Sequence, residues 1–222
     1  MIVCIGQVLT GEQIAQVNAL LQKTPFEDGA ATAGWAARGV KHNRQLPAGC
    51  AALRTIHDLV QTALLGNETF MSAALPKAMT PVLVSQSLPG MGYGNHIDNA
   101  VMGAPHVRTD LAFTLFLSAP DSFGGGELTI DEPQGEQTFK LAPGEMVLYP
   151  ATTLHRVQPV TSGQRCVVAG WVQSLVRDPR VREMLFELDA VRRALFAHDG
   201  LSTEFDLLQK TYSNLLRLHA ET

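Results

Sequence analysis

The chain has 222 residues and a formal net charge of −4 at pH 7, with 45% hydrophobic and 17% charged residues. This length and balance fit one globular domain that buries a sizeable core and carries an appendage. Lysine and arginine form no dense block, so the sequence lacks the electrostatic footprint of a nucleic-acid-binding protein and no nucleic-acid partner is expected.

The sequence carries no signal for a membrane or a secretory route. Residues 1–5 are apolar but lack a basic n-region, and no later stretch is long enough to span a bilayer. We therefore expect a cytoplasmic protein without a membrane partner. Cys4, Cys50 and Cys166 form no C-x-x-C pair and are odd in number, so reduced, buried thiols are expected rather than disulfides or metal ligands.

Residues 1–77 are predicted to form a helical region that packs on the core. After a short apolar strand, Thr10 and Gln13 have the spacing of a capping box, and apolar residues then recur at helical intervals. The segment 24–48 is rich in glycine, proline and small residues and is expected to be mostly loop, with Trp35 packed. The predicted helices of this region are 11–23 and 53–64, the second ending at Gly66.

Residues 78–176 change to short β-rich runs separated by turn signals, among them the glycines at 124–126. The predicted strands are 82–84, 111–117, 127–130, 137–141, 146–149, 157–160 and 166–172. Evenly spaced short strands favour a sandwich or a jelly roll. The predicted fold class is therefore α+β with a mainly β core, a jelly roll that carries N-terminal helices and a C-terminal helical hairpin.

Residues 177–222 return to a helical pattern. Asp178 followed by Pro179 is typical of an N-cap and a first helical position, and apolar residues then recur until Gly200. A final helix is predicted over 205–216. The apolar stripe of this hairpin is buried either on the sheet of the same domain or in the interface of a homo-oligomer.

Three residues from distant stretches predict a metal site. His96 and Asp98 form an H-x-D pair, and strand side chains alternate between faces, so positions i and i+2 project together and can hold one ion. His155, near the start of a later predicted strand, adds a second imidazole. Two histidines and one carboxylate form the facial triad of non-haem Fe(II) oxygenases, which leaves three coordination positions for substrate and dioxygen.

Arg165 stands ten residues after His155 and is predicted to bind a carboxylate. A three-residue hairpin loop at 161–163 would pair Pro159 with Arg165 and place Arg165 and His155 on one face, about 13 Å apart. A five-carbon diacid chelated at the metal fills a gap of that order. A guanidinium suits its far carboxylate because the planar fork makes two charge-assisted hydrogen bonds at once.

Other polar residues in the sequence offer competing interpretations. His106 is a local alternative to His155 as third ligand, but the intervening residues give it no fixed geometry. His42 either contacts substrate or is solvated, and the segment 99–107 is either a lid or an ordinary connection. The glycines at 90, 92 and 94 precede no helix and no Lys-Ser/Thr pair, so nucleotide binding is not expected.

Several motifs together resemble the PKHD-type hydroxylases, a bacterial prolyl/lysyl-hydroxylase-like family of Fe(II)/2-oxoglutarate dioxygenases associated with iron uptake. The matching stretches are 93–100, 108–111, 114–117, 125–128, 148–150, His155 with Arg165, and 171–177. The resemblance implies a double-stranded β-helix core, iron held by His96, Asp98 and His155, 2-oxoglutarate held by Arg165, and support by ascorbate. It also makes Tyr93 a candidate for 2-oxoglutarate binding, against the alternative of a core tyrosine.

The function expected from this resemblance is hydroxylation of a substrate with release of succinate and CO₂ from 2-oxoglutarate, linked to iron or siderophore uptake. The substrate is either a small molecule or a protein side chain, with dioxygen as the second reactant. Two alternatives stay open: a cupin-like metalloenzyme that uses the same ligands without a keto acid, and a non-catalytic sensor of iron and 2-oxoglutarate whose helical tail docks a partner.

Overall fold

The computed structural model describes residues 1–32, 34, 35 and 38–221. The α-helices in this part are Gly11–Lys23 (α1), Ala51–Leu65 (α2), Glu68–Ala74 (α3), Pro179–Asp199 (α4) and Thr203–His219 (α5). The first strands are Val3–Ile5 (β1), Glu27–Asp28 (β2), Lys41–His42 (β3), Arg44–Gln45 (β4), Pro76–Met79 (β5), Leu83–Ser87 (β6), Gly92–His96 (β7), Val101–Met102 (β8) and Val107–Arg108 (β9). The later strands are Leu111–Phe116 (β10), Phe123–Gly125 (β11), Leu128–Glu132 (β12), Gly135–Phe139 (β13), Met146–Pro150 (β14), His155–Val157 (β15), Val160–Gly163 (β16) and Arg165–Ser174 (β17).

The strands build two principal sheets, as the predicted jelly roll requires. The larger sheet has the order β1-β14-β10-β17-β6-β4-β2, with β5 also paired to β17. The smaller sheet has the order β13-β12-β15-β7-β3. Two short pairs, β8 with β9 and β11 with β16, complete the strand pairing of the described residues.

The central strand β10 divides the apolar core by its alternation. Leu111, Phe113 and Leu115 join the cluster that includes residues of the N-terminal helices. Ala112 and Phe116 point the other way and pack with residues of both sheets in a second cluster. The period-2 pattern therefore gives β10 two buried faces, one toward the helices and one toward the opposite sheet.

The N-terminal helices cover the outer face of the larger sheet. Thr10 and Gln13 form the predicted capping box of α1. Val17 of α1 and Ile56 and Val60 of α2 are fully buried in the cluster that includes strand β10. Such burial contributes roughly 1.5–3 kcal/mol for each large apolar side chain. No helix in the described part of the chain is both long and apolar enough to cross a bilayer.

Helix α3 is missing from the prediction, because seven residues span too few turns for a helical period to stand out. Asn67 caps it, its side-chain oxygen accepting a hydrogen bond from the backbone N–H of Phe70 at 2.9 Å. The predicted C-terminal helices are present as α4 and α5. Leu185 of α4 is buried in a cluster with Leu75 and Val176, so the hairpin packs beside α3 rather than over a sheet face.

The predicted strand 157–160 and the hairpin at 161–163 are wrong. Pro159 cannot donate to a ladder, and the strand divides there into β15 and β16. Strand β16 pairs with β11, whereas β17 pairs with β6 and β10, so Pro159 and Arg165 are not cross-strand partners. Gly163, with a φ of 69°, lies where the chain passes from the β11–β16 pair into the larger sheet instead of closing a hairpin.

Two predictions about single side chains also fail. Trp35 is 93% exposed, so its indole faces solvent instead of packing. Residues 33, 36 and 37 of the same predicted loop lie outside the described residues. Cys4 is exposed on an edge strand, whereas Cys166 is buried as expected, and neither forms a disulfide with a described residue.

Candidate metal centre and co-substrate pocket

A cavity of about 500 Å³ lies between the two sheets and contains the predicted site residues. His96 ends β7 and His155 begins β15, and these two residues are register partners on adjacent antiparallel strands. Directly opposed residues of an antiparallel pair point to the same face, so both imidazoles enter the cavity. Their ring centroids are 4.2 Å apart.

Asp98 completes the cluster from a position just beyond the end of β7. Strand alternation alone therefore does not hold the H-x-D pair, contrary to the prediction. His155 Nε2 lies 3.9 Å from Asp98 Oδ1, and one candidate donor atom from each of the three residues lies within 4.8 Å of the others. Asp98 Oδ2 is buried without a hydrogen-bond partner among the described residues, an arrangement that costs free energy unless a ligand binds there.

The two imidazoles are oriented by the backbone next to them. His96 Nδ1 lies 2.8 Å from the carbonyl oxygen of Gly94, and His155 Nδ1 lies 3.0 Å from that of Thr153. A carbonyl oxygen only accepts, so each Nδ1 carries the proton and donates it. Each Nε2 is then left with a free lone pair, as a metal-binding histidine requires.

The electrostatics keep one imidazole neutral. Burial, together with the neighbouring His155, lowers the pKa of His96 to about 3, so His96 stays uncharged at neutral pH. Burial raises the pKa of Asp98, and this shift is partly offset by His155, Trp171 and Lys41. A cation bound between these residues would favour the ionised carboxylate.

Arg165 begins β17, on the sheet opposite the two histidines, and its side chain is 2% exposed. Its Nε has no hydrogen-bond partner among the described residues. The guanidinium carbon lies 5.7 Å from the centroid of the Phe116 ring. Burial lowers the pKa of Arg165 to about 10, which leaves the group cationic at neutral pH. Arg165 and His155 therefore share the cavity because the two sheets face each other, not because of a hairpin.

Aromatic side chains hold the histidines in place. The Tyr93 ring stacks on the His96 ring with centroids 3.5 Å apart, and Tyr149 meets His155 edge to face at 5.2 Å. Burial raises the pKa of Tyr93 to about 12. Tyr93 therefore lines the cavity as a neutral phenol, in contact with a candidate ligand rather than within the apolar core.

The sequence interpretation missed a polar wall made of Thr32, Lys41, Asn43 and Gln45. Lys41 is 5% exposed, and burial lowers its pKa to about 8. Lys41 lies in β3 of the smaller sheet and Gln45 in β4 of the larger sheet, so no single strand carries a periodic pattern that predicts this wall. The wall was also hidden because the surrounding segment has the composition of a loop.

The competing histidines lie outside the cluster. His106 is exposed in the turn between β8 and β9, and His42 is exposed because Lys41 occupies the inward position of β3. Two of the glycines before the H-x-D pair, Gly92 and Gly94, allow other parts of the chain to pack closely against β7. A Cβ on Gly92 would lie 2.8 Å from the carbonyl oxygen of Val157, and one on Gly94 would lie 2.8 Å from the Cβ of Val40.

The segment 99–107 contains β8, whose residues line the cavity mouth.

Comparisons with known proteins agree on one family. The sequence model of the 2OG-Fe(II) oxygenase superfamily matches residues 82–173. A PKHD-type hydroxylase of Synechococcus sp. is 50% identical over 223 residues, with 100% of both chains covered. Another, from Maricaulis maris, is 49% identical over 221 residues, again with 100% of both chains covered. A crystal structure of a Pseudomonas putida prolyl-4-hydroxylase superposes with a TM-score of 0.54 at 16% identity, covering 78% of this chain and 92% of that chain, which shows a shared fold.

Proposed function

Because the chain belongs to the PKHD-type hydroxylase family of Fe(II)/2-oxoglutarate dioxygenases, we propose that His96, Asp98 and His155 hold its iron and that Arg165 binds its 2-oxoglutarate. We further propose that the enzyme hydroxylates a substrate while 2-oxoglutarate is converted to succinate and CO₂. Ascorbate would keep the iron reduced, and the proposed context is iron uptake.

The observation that carries this proposal is the cross-strand pairing of His96 with His155, with the buried Asp98 carboxylate beside them. The donor set fits Fe(II), since two imidazoles and one carboxylate leave three positions open for a chelating co-substrate and dioxygen. The partnerless Asp98 Oδ2 supports the same assignment, because a metal ion satisfies a buried carboxylate oxygen.

Arg165 supports the co-substrate part of the proposal. A buried guanidinium without an ion pair in the described chain needs an anion to offset its desolvation. A dicarboxylic acid that reaches from the metal to the opposite sheet brings one, and its two carboxylate oxygens match the fork of the guanidinium. When bound, iron and 2-oxoglutarate supply the oxidising chemistry.

The chain itself positions these groups and protects them. The carbonyl oxygens of Gly94 and Thr153 fix the orientation of the two imidazole rings. The Nε2 atoms are therefore already oriented for metal binding before the ion arrives. Tyr93 and Tyr149 restrict the rings further by stacking and edge contacts. The apolar lining from Leu128, Val157 and Val167 excludes water from the reacting centre.

The experiment that tests the proposal is anaerobic absorption spectroscopy of the Fe(II)-loaded protein during titration with 2-oxoglutarate, followed by admission of dioxygen and measurement of succinate. We expect a new absorption band and then succinate formation that ascorbate sustains. No band would favour a cupin-like enzyme without a keto acid. A band without succinate, in the presence of a broad metabolite mixture, would favour a sensor; either result contradicts the proposal.

A further inference from the structure

Lys41 is a buried cation that the proposed iron and 2-oxoglutarate sites do not use. Its side chain is 5% exposed and lines the cavity from the smaller sheet. Its Nζ donates a hydrogen bond to Thr32 Oγ1 at 2.6 Å. Asp98 and Asp28 attract the ammonium through space, but no carboxylate of the described residues is close enough to form an ion pair with it, although buried ammonium groups are normally paired.

Strand register places Lys41 beside the metal cluster and away from Arg165. Lys41 is the register partner of Tyr93, whose ring stacks on His96. The Nζ lies 5.4 Å from the centroid of the Tyr93 ring, so the ammonium reaches over that ring. Arg165 belongs to the opposite sheet, where it pairs with Ser87. The cavity therefore has two cations on two different walls.

The charges of the cavity leave one cation without a partner. Among the described lining residues, Lys41 and Arg165 are positive and Asp98 is negative, so one positive charge remains. In the proposed function, the two positive charges of Fe(II) and the two negative charges of 2-oxoglutarate cancel each other. The same single positive charge then remains for the substrate.

We propose that Lys41 is a specificity-determining residue that binds a carboxylate of the substrate, and that the substrate is a small molecule with one net negative charge. This inference rests on the proposed function, because it assigns Asp98 to the iron and Arg165 to the co-substrate. The hydroxyl of Thr32 holds the ammonium in place, and Thr32 Oγ1 in turn lies 2.8 Å from Gln45 Oε1. The carboxylate replaces the hydration that Lys41 loses through burial.

The mouth of the cavity indicates the character of the rest of the substrate. Ile97 and Val101 line the cavity and are 58% and 53% exposed. Exposed apolar side chains around a pocket mark a binding surface for apolar groups. A carboxylic acid with an apolar body therefore fits the cavity, with its carboxylate on Lys41 and its apolar part toward the mouth.

The test uses the full-length protein with Mn(II) and 2-oxoglutarate, which occupy the metal centre and Arg165 without turnover. Thermal shifts are measured with matched probe pairs, hexanoate against hexanamide and benzoate against benzamide. The variants are Lys41→Met and Lys41→Gln, and the control is Lys210→Met, which removes an exposed lysine on α5. The melting temperature of each variant without probe shows whether it folds.

We expect each carboxylate to bind the wild type at least about tenfold more tightly than its amide, as a charge-assisted hydrogen bond implies. This preference should disappear in both Lys41 variants and persist in Lys210→Met. Lys41→Met should keep or raise the melting temperature, whereas loss of a purely structural lysine would lower it. Equal shifts by carboxylate and amide in the wild type, or a preference retained without Lys41, would overturn the inference.

A first step separates this inference from the function on which it rests. The stabilisation of the Mn(II)-loaded wild type by 2-oxoglutarate alone is measured before any probe is added. If 2-oxoglutarate gives no stabilisation, the proposed function fails. If it stabilises the protein and the probe pairs still do not differ, only the role of Lys41 fails.

Discussion

His96 and His155 face each other across two antiparallel strands, with ring centroids 4.2 Å apart and each Nδ1 held by a carbonyl oxygen two residues before its own position. The strand pairing thus fixes the distance between the two rings, and the local backbone fixes which nitrogen each ring presents. Asp98 adds a carboxylate whose second oxygen has no partner in the described chain.

Asp98→Asn is expected to weaken metal binding severely. The amide retains the size of the side chain but loses the negative charge that a divalent cation requires. Loss of a residue that only hydrogen-bonds to a metal ligand typically lowers metal affinity by about 10–100-fold. Loss of the ligand itself should lower the Mn(II) affinity by more, as measured by titration calorimetry. His106→Ala serves as the control and should bind like the wild type, since His106 is exposed in a turn. Wild-type affinity in the Asp98→Asn variant would argue against the triad.

Arg165→Met is expected to lower 2-oxoglutarate affinity by about tenfold or more, because charge-assisted hydrogen bonds are worth roughly 1.5–3 kcal/mol. Metal affinity should change little, since Arg165 lies on the opposite sheet. Calorimetric titration of 2-oxoglutarate into Mn(II)-loaded protein measures the effect. Arg156→Met is the matched control, as it removes a partly buried arginine outside the cavity that pairs with Glu136. Unchanged co-substrate affinity would remove Arg165 from the site.

Gly92→Ala is expected to disturb the pairing of β7 with β15. The new Cβ would lie 2.8 Å from the Val157 carbonyl oxygen and 3.1 Å from the backbone of Pro159, and these backbone atoms leave little room to yield. We expect a loss of about 1–3 kcal/mol in the free energy of unfolding, as for other overpacked positions, and weaker metal binding. Gly11→Ala, where no atom lies within 4 Å of the added Cβ, should change stability little. Urea denaturation of both variants would show the contrast, and equal losses would contradict the packing argument.

The stability of the protein is expected to rise with pH above about 8 through Lys41. Burial lowers the pKa of Lys41 from 10.5 to about 8, so between these values the unfolded chain binds a proton that the folded chain has released. More protons on the unfolded state mean that stability increases with pH in this window, by about 3 kcal/mol at most. Below pH 8 both states are protonated and this contribution to the slope vanishes.

Comparison with Lys41→Met isolates that contribution. Burial raises the pKa of Tyr93 and Tyr149, and these groups act in the opposite direction once the unfolded tyrosines begin to ionise near pH 10. Both proteins contain them, so their effect cancels in the difference between the two urea denaturation curves from pH 7.5 to 10. A difference that stays constant across this range would show that the Lys41 pKa is not lowered.

The sequence allowed the jelly-roll core to be predicted because β10 and its neighbours carry strong period-2 and apolar signals between clear turns. It also identified the cluster of His96, Asp98 and His155, since an H-x-D pair and a distant histidine have few other uses in such a fold. The hairpin that was predicted at 161–163 to place Arg165 beside His155 was wrong, because a glycine after two polar residues is typical of a hairpin and also of a chain that changes sheets. Which of the two forms depends on long-range strand pairing that the local sequence does not encode.

For Lys41 and Trp35, the local sequence pattern did not predict whether the side chain is buried. Both lie in a segment whose small and polar residues predict a loop, and the burial of each side chain depends on which strands lie next to that segment. The two-residue strand β3 is too short for periodicity to be recognised, yet its pairing with β7 places Lys41 inside the cavity. Trp35 lies in solvent instead, although its neighbour Gly34 lines the same cavity.

The most direct test of the account is a crystal structure of the protein grown anaerobically with Fe(II) and 2-oxoglutarate, with anomalous scattering recorded at the iron edge. We expect one strong iron peak at coordination distance from His96 Nε2, His155 Nε2 and the Asp98 carboxylate, with the far carboxylate of 2-oxoglutarate on Arg165. An iron peak at other residues, or 2-oxoglutarate bound away from Arg165, would contradict it.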